Sequence, residues 1–295
     1  MANYLDPKND LTFKRVFGEH KHLCISLINN ILPLEKPVID IEYRTGELIP
    51  DLDVLRNTII DVRCIDESGR QFLVEMQLFW YESFKKRVVL NASKAYVMQL
   101  DVAEKFSSIQ PVYSLNFVNK NFEKSPEMEN EYFHHYKTVN IHHTEKRLEG
   151  YEFVFIELPK FKPANRAEKK LHELWLRFLT EVDENTEEIS PDLLEHKEIR
   201  EAVSYTKKAA YTKEQLTAYD QWKINLITAR SMLDDAEDTG IAKGEVIGLE
   251  KGEAIGEHKK ACLVALKALE KGMTVEDASE LSGLSIQQIE QLIKK

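Results

Sequence analysis

Residues 59 to 77 read Ile-Ile-Asp-Val-Arg-Cys-Ile-Asp-Glu-Ser-Gly-Arg-Gln-Phe-Leu-Val-Glu-Met-Gln, two segments rich in β-branched and apolar residues on either side of a short polar one. The polar residues 66–69, Asp-Glu-Ser-Gly, are typical of a turn between antiparallel strands. If the turn is centred on Ser68, Asp61 lies opposite Glu75. The stretch therefore predicts a β-hairpin with a carboxylate on each strand.

Alternation along the two predicted strands separates a polar face from an apolar one. Asp61, Glu75 and Gln77 share the polar face. The predicted apolar face consists of Ile60, Val62, Cys64, Phe72, Val74 and Met76. Like charges directly opposite each other on an antiparallel pair repel, because their Cβ atoms are only about 5 Å apart. A divalent cation would offset the repulsion, since Mg²⁺ commonly binds one or two carboxylates; the alternative is a solvated hairpin with Arg63 as counter-ion.

The hairpin resembles a known nuclease motif. An aspartate, a turn and then Glu-x-Gln at the end of the next strand are similar to the core of PD-(D/E)xK nucleases, with Gln77 where that core usually has lysine. Other stretches resemble the PD-(D/E)xK nuclease family transposases, also called recombination-promoting nucleases. They are residues 10–18 (DLTFKRVFG), Arg87 with Tyr96 and residues 99–100 (QL), residues 111–115 (PVYSL), and the glycine-spaced tail with its ending at residues 283–292 (GLSIQQIEQL). The likeness touches most of the chain and is strongest from residue 3 to about 120.

The resemblance implies the fold class and the domain organisation. We expect an α/β, restriction-endonuclease-like core, in which helices flank a mixed sheet, followed by a mostly helical C-terminal extension. The expected parts are a nuclease-like core at residues 1–160, a helical segment at 161–235 that packs on the core, and a tail at 236–295. The tail would contain a glycine-repeat helix and an end similar to a helix-turn-helix.

The resemblance also implies a metal-dependent DNA endonuclease that hydrolyses phosphodiester bonds during recombination. Asp61 and Glu75 are then expected to bind Mg²⁺, with Mn²⁺ able to substitute, and Gln77 to orient the attacking water. Asp10 is a candidate for a further catalytic acid on the first helix, although Asn9 or Asp10 could equally cap that helix. Two acids ahead of the hairpin are interpreted as loop residues, with metal ligation as the alternative: Asp51 and Asp53.

A basic helix is predicted directly after the hairpin, running to about residue 106 with an apolar stripe that includes Val89. It begins with Lys85, Lys86 and Arg87, and Lys94 lies further along it. Clustered cations hold phosphates, so these four residues are the predicted DNA-binding residues, with an ordinary solvated face as the alternative. A neutral glutamine cannot supply the charge of the usual lysine. Either the family works without that charge, or a cation on the following helix replaces it, with Arg87 and Lys94 as the candidates.

Composition and charge limit the class of protein. At 295 residues and 43% hydrophobic residues, the chain can bury a large core. Its net charge of -10 argues against a simple nucleic-acid binder. Residues 1–122, however, hold 15 basic and 16 acidic residues, whereas the remainder holds 25 and 34. The acidity therefore belongs to the C-terminal part, and the predicted nuclease core is nearly neutral.

The distribution of cysteine and apolar residues predicts a cytoplasmic protein. The three cysteines, Cys24, Cys64 and Cys262, are too widely spaced for a disulfide framework or a zinc motif. We find no basic and then apolar leader at the start and no apolar run of about 18 residues. A membrane span is therefore not expected.

Further strands and histidines are predicted around the hairpin. An edge strand is expected at residues 38–43, a buried strand at 111–118, and two more strands at 131–139 and 151–158. Two histidine pairs invite a metal interpretation, but adjacent residues on a strand point to opposite faces. We interpret them as surface or core residues: His134, His135, His142 and His143.

The tail has a glycine at every fourth position from Gly240 to Gly256. Each glycine inside a helix costs about 1 kcal/mol relative to alanine, so the repeat is either a surface for close helix contact or a fraying tether, and we favour the tether. Sequences similar to capping boxes predict two short helices, starting near Thr274 and Ser285. The last of these helices has few basic residues, so we interpret the end of the tail as a packing or homo-oligomerisation module. The alternative function is thus a weak or inactive nuclease fold that serves as an oligomerisation or partner-binding module.

Overall fold

The computed structural model describes residues 3–48, 58–100, 105–163 and 170–293. Asp51 and Asp53 lie outside the described residues. The chain divides into two compact units, residues 1–219 and 220–295, and each is described by itself.

A six-stranded mixed sheet forms the centre of the first unit. Its strands are β1 (Ile41–Arg44), β4 (Val62–Asp66), β5 (Gln71–Gln77), β6 (Val112–Val118), β7 (Phe133–Asn140) and β8 (His143–Glu157), while β2 (Glu47–Leu48) and β3 (Thr58–Ile59) form a separate two-stranded ribbon. The order is β1-β4-β5-β6-β8-β7, with β5, β6 and β8 parallel and the other neighbours antiparallel. The predicted mixed sheet and its edge strand are confirmed; β8 begins earlier than expected because its first half pairs with β7.

The β4–β5 hairpin has the predicted register. Val62 pairs with Val74 and Cys64 with Phe72. The turn is held by Asp66, whose Oδ1 accepts the backbone N–H groups of Ser68 and Arg70, and by Gly69 at φ 86°, in the left-handed region that favours glycine. Asp61 directly precedes the first residue of β4 and therefore lies outside the ladder of paired residues.

The prediction that Ile60 shares the apolar face of Val62 is wrong. Residues 60 and 61 belong to neither β3 nor β4, so the strict alternation of a strand does not extend back to them. Ile60 packs with Leu73 and with Ala92 of the following helix on the opposite face of the sheet.

Gly46 fixes the position of this irregular segment. The Ile60 N–H donates to the Gly46 carbonyl at 2.9 Å, and a Cβ on Gly46 would lie 2.3 Å from the Ile60 carbonyl oxygen. We expect Gly46→Ala to displace Ile60 and to lower the free energy of unfolding by about 2 kcal/mol, as overpacking does. Urea unfolding measures the change, with Gly18→Ala as the control.

Gly18 is a suitable control because its added Cβ would meet atoms no closer than 3.8 Å. Equal stability losses in the Gly18→Ala and Gly46→Ala proteins would contradict the proposed close approach.

Helices cover both faces of the sheet. One face packs against α1 (Asp10–Phe13), which continues into a π-helical turn at Lys14–Gly18, and against α2 (Lys21–Ile31), α4 (Leu171–Glu181), α5 (Pro191–Glu195) and α6 (Lys197–Thr206). Its core includes a run of aromatic contacts from Phe13 through Phe17 and Trp175 to Phe178. The opposite face packs against α3 (Ser83–Val97).

Helix α3 is shorter than predicted, ending at Val97 rather than near residue 106. The Gln99 side chain accepts the backbone N–H of Gln110 and donates to its carbonyl, both at 2.9 Å. These two bonds tie the end of the helix to the start of β6. One residue of the predicted apolar stripe is misplaced, because Val89 is 51% exposed whereas its neighbour Val88 is fully buried.

The second unit is helical. It contains most of helix α7 (Lys213–Glu270), including all five repeat glycines, and then α8 (Val275–Ser282) and α9 (Ile286–Ile293). Both predicted caps are confirmed, because Thr274 and Asp277 form a reciprocal capping box, and Ser285 and Gln288 form the corresponding bonds before α9. A small core joins the end of α7 to both short helices: Ala265, Ala268, Ala278, Leu284 and Ile289.

The three cysteines are free, and two of them are buried. The thiols of Cys24 and Cys64, distant in sequence, contact each other, and this contact together with burial raises the pKa of Cys64. None of the described helices combines the length and the hydropathy needed to span a bilayer.

Candidate active site

Asp61 lies immediately before β4 and beside β5. Its Oδ2 accepts the backbone N–H of Met76 at 2.7 Å, so the carboxylate takes the place of a strand partner that β4 does not provide. The pKa of Asp61 is raised to about 7, first of all by burial. The charges of Asp10 and Glu75 raise it as well, while the Met76 bond and Lys14 lower it.

Glu75 is a buried carboxylate on β5, with 3% of its surface exposed. Asn91 donates to its Oε1 at 2.8 Å and Arg87 to its Oε2 at 3.2 Å. Burial raises the pKa of Glu75 despite the opposing effect of these two donors. Its negative charge is thus only partly compensated by the protein.

Arg87 links Glu75 to Gln77. Its Nη2 donates to Gln77 Oε1 at 2.8 Å as well as to Glu75, and its guanidinium stacks over the Phe84 ring at 4.9 Å. Gln77 Nε2 donates to the carbonyl of Phe79 at 2.7 Å. A cation therefore touches the residue that stands in place of the usual lysine. Arg63, the counter-ion of the solvated-hairpin alternative, instead donates to Gln71.

Asp10 does not cap the first helix. Asn9 is the N-cap, with its side chain accepting the N–H groups of Leu11 and Thr12. Asp10 is the first helical residue; its side chain is 56% exposed and bonded to Lys14 at 2.8 Å. It is close enough to raise the pKa of Asp61, so the tertiary structure places three carboxylates from separate elements within electrostatic reach.

The predicted DNA-binding residues occupy different environments on α3. Lys86 faces solvent. Lys85 Nζ lies 4.8 Å from the Phe122 ring centroid and 5.3 Å from that of Trp80, and Arg87 faces the acids. Lys94 lies two turns beyond Arg87 and is partly buried.

The contacts described for the four histidines involve acids other than these. Nε2 of His134 is 2.7 Å from Glu157, and Nε2 of His135 is 2.8 Å from Glu152. His134 is buried and His142 and His143 are exposed, as expected of core and surface residues. Within the described ranges, no three His, Cys, Asp or Glu side chains form a group that could hold a metal ion.

Comparison with protein families matches residues 7–236 to the model of the PD-(D/E)XK nuclease family transposases. The chain belongs to this family. The match covers both elements of the candidate site, the β4–β5 hairpin and α3, together with helices α4 to α6. Comparison with curated proteins and with solved structures finds no significant match.

PD-(D/E)XK nucleases usually use divalent metals, and the candidate site suits one. Its donors are carboxylate oxygens, the ligands that Mg²⁺ and Mn²⁺ prefer. Among the hydrogen bonds described for the chain, none involves Asp61 Oδ1. Burial raises the pKa values of both Asp61 and Glu75, so nearby positive charge does not fully compensate these carboxylates. A cation between them would offset that deficit.

The contact of Asn91 with Glu75 was not predicted from the sequence. Asn91 is fully buried and donates to Glu75. It follows Arg87 by four residues and therefore lies on the same face of α3. The four-residue spacing of Arg87 and Asn91 on a predicted helix is the sequence signal that could have identified both partners of Glu75.

Proposed function

We propose that the protein is a metal-dependent DNA endonuclease that cuts phosphodiester bonds in recombination and acts in the cytoplasm. The observation that carries the proposal is the pair Asp61 and Glu75, a half-buried and a buried carboxylate whose pKa values are both raised, with the Arg87 guanidinium bonded to Glu75. Such perturbed acids cluster at functional sites, and the family supports nuclease chemistry.

Asp61 and Glu75 would hold Mg²⁺, for which Mn²⁺ could substitute. When bound, the ion polarises the scissile phosphate and lowers the pKa of a water that attacks it. Asp10 is near enough to add negative charge around the ion. Met76 and Asn91 keep the two carboxylates in place by donating to one oxygen of each.

Gln77 and Arg87 would together replace the usual lysine, with Gln77 orienting a water and Arg87 supplying the positive charge. The Gln77 amide has two N–H donors and uses one on Phe79, so the second can orient a water. Arg87 supplies the positive charge, because its side chain is 36% exposed and touches both Glu75 and Gln77. A guanidinium at this place stabilises charge that develops on a phosphate.

Helix α3 would also help to bind DNA. Lys86 is exposed one position before Arg87, and Tyr81 is 39% exposed ahead of the helix. An exposed cation can contact a phosphate and an exposed ring can stack on an unpaired base.

The proposal is tested by incubating supercoiled plasmid and single-stranded oligonucleotides with the protein and Mg²⁺, Mn²⁺ or EDTA. We expect nicking or linearisation with either ion and none with EDTA, together with one Mn²⁺ site by calorimetry. Absence of both cleavage and metal binding would favour the oligomerisation or partner-binding module.

The raised pKa of Asp61 predicts a pH dependence of stability in the metal-free protein. Folded Asp61 titrates near 7, above the ordinary value of 3.8, so the folded state holds a proton that the unfolded state releases. Protonation of Asp61 therefore contributes fully to the free energy of unfolding below pH 4, and this contribution is lost as pH rises to about 7. Between pH 5 and 8 we expect wild type to lose about 3 kcal/mol relative to Asp61→Asn.

Urea unfolding in EDTA at pH 5 and pH 8 measures this difference. Added Mg²⁺ should stabilise wild type more at pH 8 than at pH 5, because the ion competes with the proton. Parallel pH profiles for wild type and Asp61→Asn in EDTA would contradict the assignment.

A further inference from the structure

Arg63 is a buried cation on β4 that the proposed reaction does not use. Its surface is 7% exposed, its Nε is buried without a hydrogen-bond partner, and its Nη2 donates to Gln71 Oε1 over a long 3.4 Å. Among the residues that the structure describes, no acid forms an ion pair with it. A buried charge without a counter-ion is costly, so an anion bound at this place would stabilise the protein.

A second arginine lies directly opposite the first. Arg44 on β1 pairs with Arg63 in the antiparallel register, and like charges in such a pair repel, because their Cβ atoms are about 5 Å apart. Burial lowers the pKa of Arg63, and the charge of Arg44 lowers it further. Glu42 Oε2 lies 3.1 Å from Arg44 Nη2, but both of these side chains are exposed, and exposed ion pairs contribute little. Within the described part of the chain, the two guanidinium groups are therefore weakly compensated.

Both arginines share the face of the sheet that carries Glu75. Val62 and Cys64 belong to the core on the α2 side of the sheet, so Arg63, between them in sequence, points to the opposite side. Its register partner on β5 is Leu73, which packs against α3, and Glu75 follows two residues later on the same side. Directly opposite residues share a face, so the arginine of β1 lies there as well.

The distance from Glu75 suits phosphates of one DNA strand. Two residues along a strand span about 7 Å and neighbouring strands lie about 4.8 Å apart, so the Cα atoms of Arg63 and Glu75 are about 8 Å apart. One strand of B-form DNA carries a phosphate for about every 3.4 Å of its axis. If the scissile phosphate lies at the metal beside Glu75, a phosphate two or three nucleotides away lies near the arginines.

We propose that Arg63 and Arg44 bind a backbone phosphate of the DNA, two or three nucleotides from the phosphate that is cut. Guanidinium groups suit this role, because their planar set of N–H donors matches two phosphate oxygens. Arg44 is exposed and can meet the phosphate from solvent, while the burial of Arg63 strengthens the attraction. The inference rests on the proposed function, since it takes DNA as the substrate, and it adds a phosphate contact outside α3.

The melting temperature of the full chain in EDTA tests the anion site without DNA. We expect Arg44→Gln to raise it by about 2 °C, because the repulsion between β1 and β4 is lost; an arginine with a purely structural role would lower it when removed. Inorganic phosphate, compared with chloride at equal ionic strength, should stabilise wild type more than Arg44→Gln/Arg63→Gln. A destabilised Arg44→Gln protein, or equal responses to phosphate, would overturn the anion site.

Fluorescence anisotropy with a labelled DNA duplex at several salt concentrations tests the identity of the anion. The Glu75→Gln chain serves as the background that leaves the DNA uncut. Adding Arg44→Gln should raise the dissociation constant about 10-fold and lower the slope of its logarithm against log salt by about 0.9, the value for one phosphate contact. Arg200→Gln is the matched control, since Arg200 is exposed on α6 over the opposite face of the sheet, and it should bind DNA as the background does.

These measurements distinguish failure of the phosphate contact from failure of the proposed function. If wild type cleaves DNA but Arg44→Gln changes neither the dissociation constant nor the salt slope, the phosphate contact is wrong and the nuclease proposal stands. If inorganic phosphate binds through the arginines but wild type neither binds nor cleaves DNA, the site holds a free phosphate, and both the DNA contact and the nuclease proposal are wrong.

Discussion

Glu75→Gln and Asp61→Asn should each reduce metal-dependent DNA cleavage by about 10³-fold or more. Each substitution keeps the shape of the side chain and removes the negative charge that holds the ion. Loss of the ion removes several kcal/mol of transition-state stabilisation, and about 4 kcal/mol corresponds to 10³ in rate. Initial rates of plasmid cleavage in Mg²⁺ and Mn²⁺ measure the effect.

Stability separates this effect from misfolding. Asp61→Asn removes a charge whose burial raises its pKa, so we expect the metal-free variant to be at least as stable as wild type at pH 8. Glu67→Gln is the matched control, because Glu67 is an exposed acid in the turn of the same hairpin, and its cleavage rate should equal that of wild type. Cleavage that survives both site substitutions would remove the nuclease proposal.

Arg87→Gln should lower the cleavage rate by about 10²- to 10³-fold, the cost of losing one preorganised charge-stabilising donor. Gln77→Lys alone should not raise the rate. It would place an ammonium where Arg87 now donates to Gln77 at 2.8 Å, and the two cations would repel. The exchange Gln77→Lys/Arg87→Gln should recover most of the activity, because it restores a single cation at the site.

Lys86→Gln is the control for this series. It removes a positive charge from the neighbouring, solvent-exposed position of α3 and should weaken DNA binding modestly without changing the maximal rate. If the exchange variant is as inactive as Arg87→Gln, the cation beside residue 77 does not substitute for lysine.

Local sequence rules predicted the hairpin well. The turn residues and the alternation of residues 62–66 and 71–77 fix the register, since a slip of one residue would move the buried side chains to the opposite face. The same rules failed at Ile60, because the chain is irregular before β4, and at the end of α3, where Gln99 bonds to the backbone of Gln110. Both failures arise from contacts between separate elements.

The partners of Glu75 also depend on contacts between separate elements. Arg87 was recognised as a candidate cation, but its sequence position does not reveal that it bonds to both Glu75 and Gln77. Asp10 and Asp61 are 51 positions apart, and only the packing of the first helix beside the hairpin brings their charges together.

The sequence by itself determined the hairpin, its register and the caps of the last helices, because each depends on residues within one or two turns or strands. Only the tertiary structure decided which acids are buried together, which cation accompanies them and how far their pKa values move. Those properties depend on desolvation and on distances between distant segments, which no local pattern encodes.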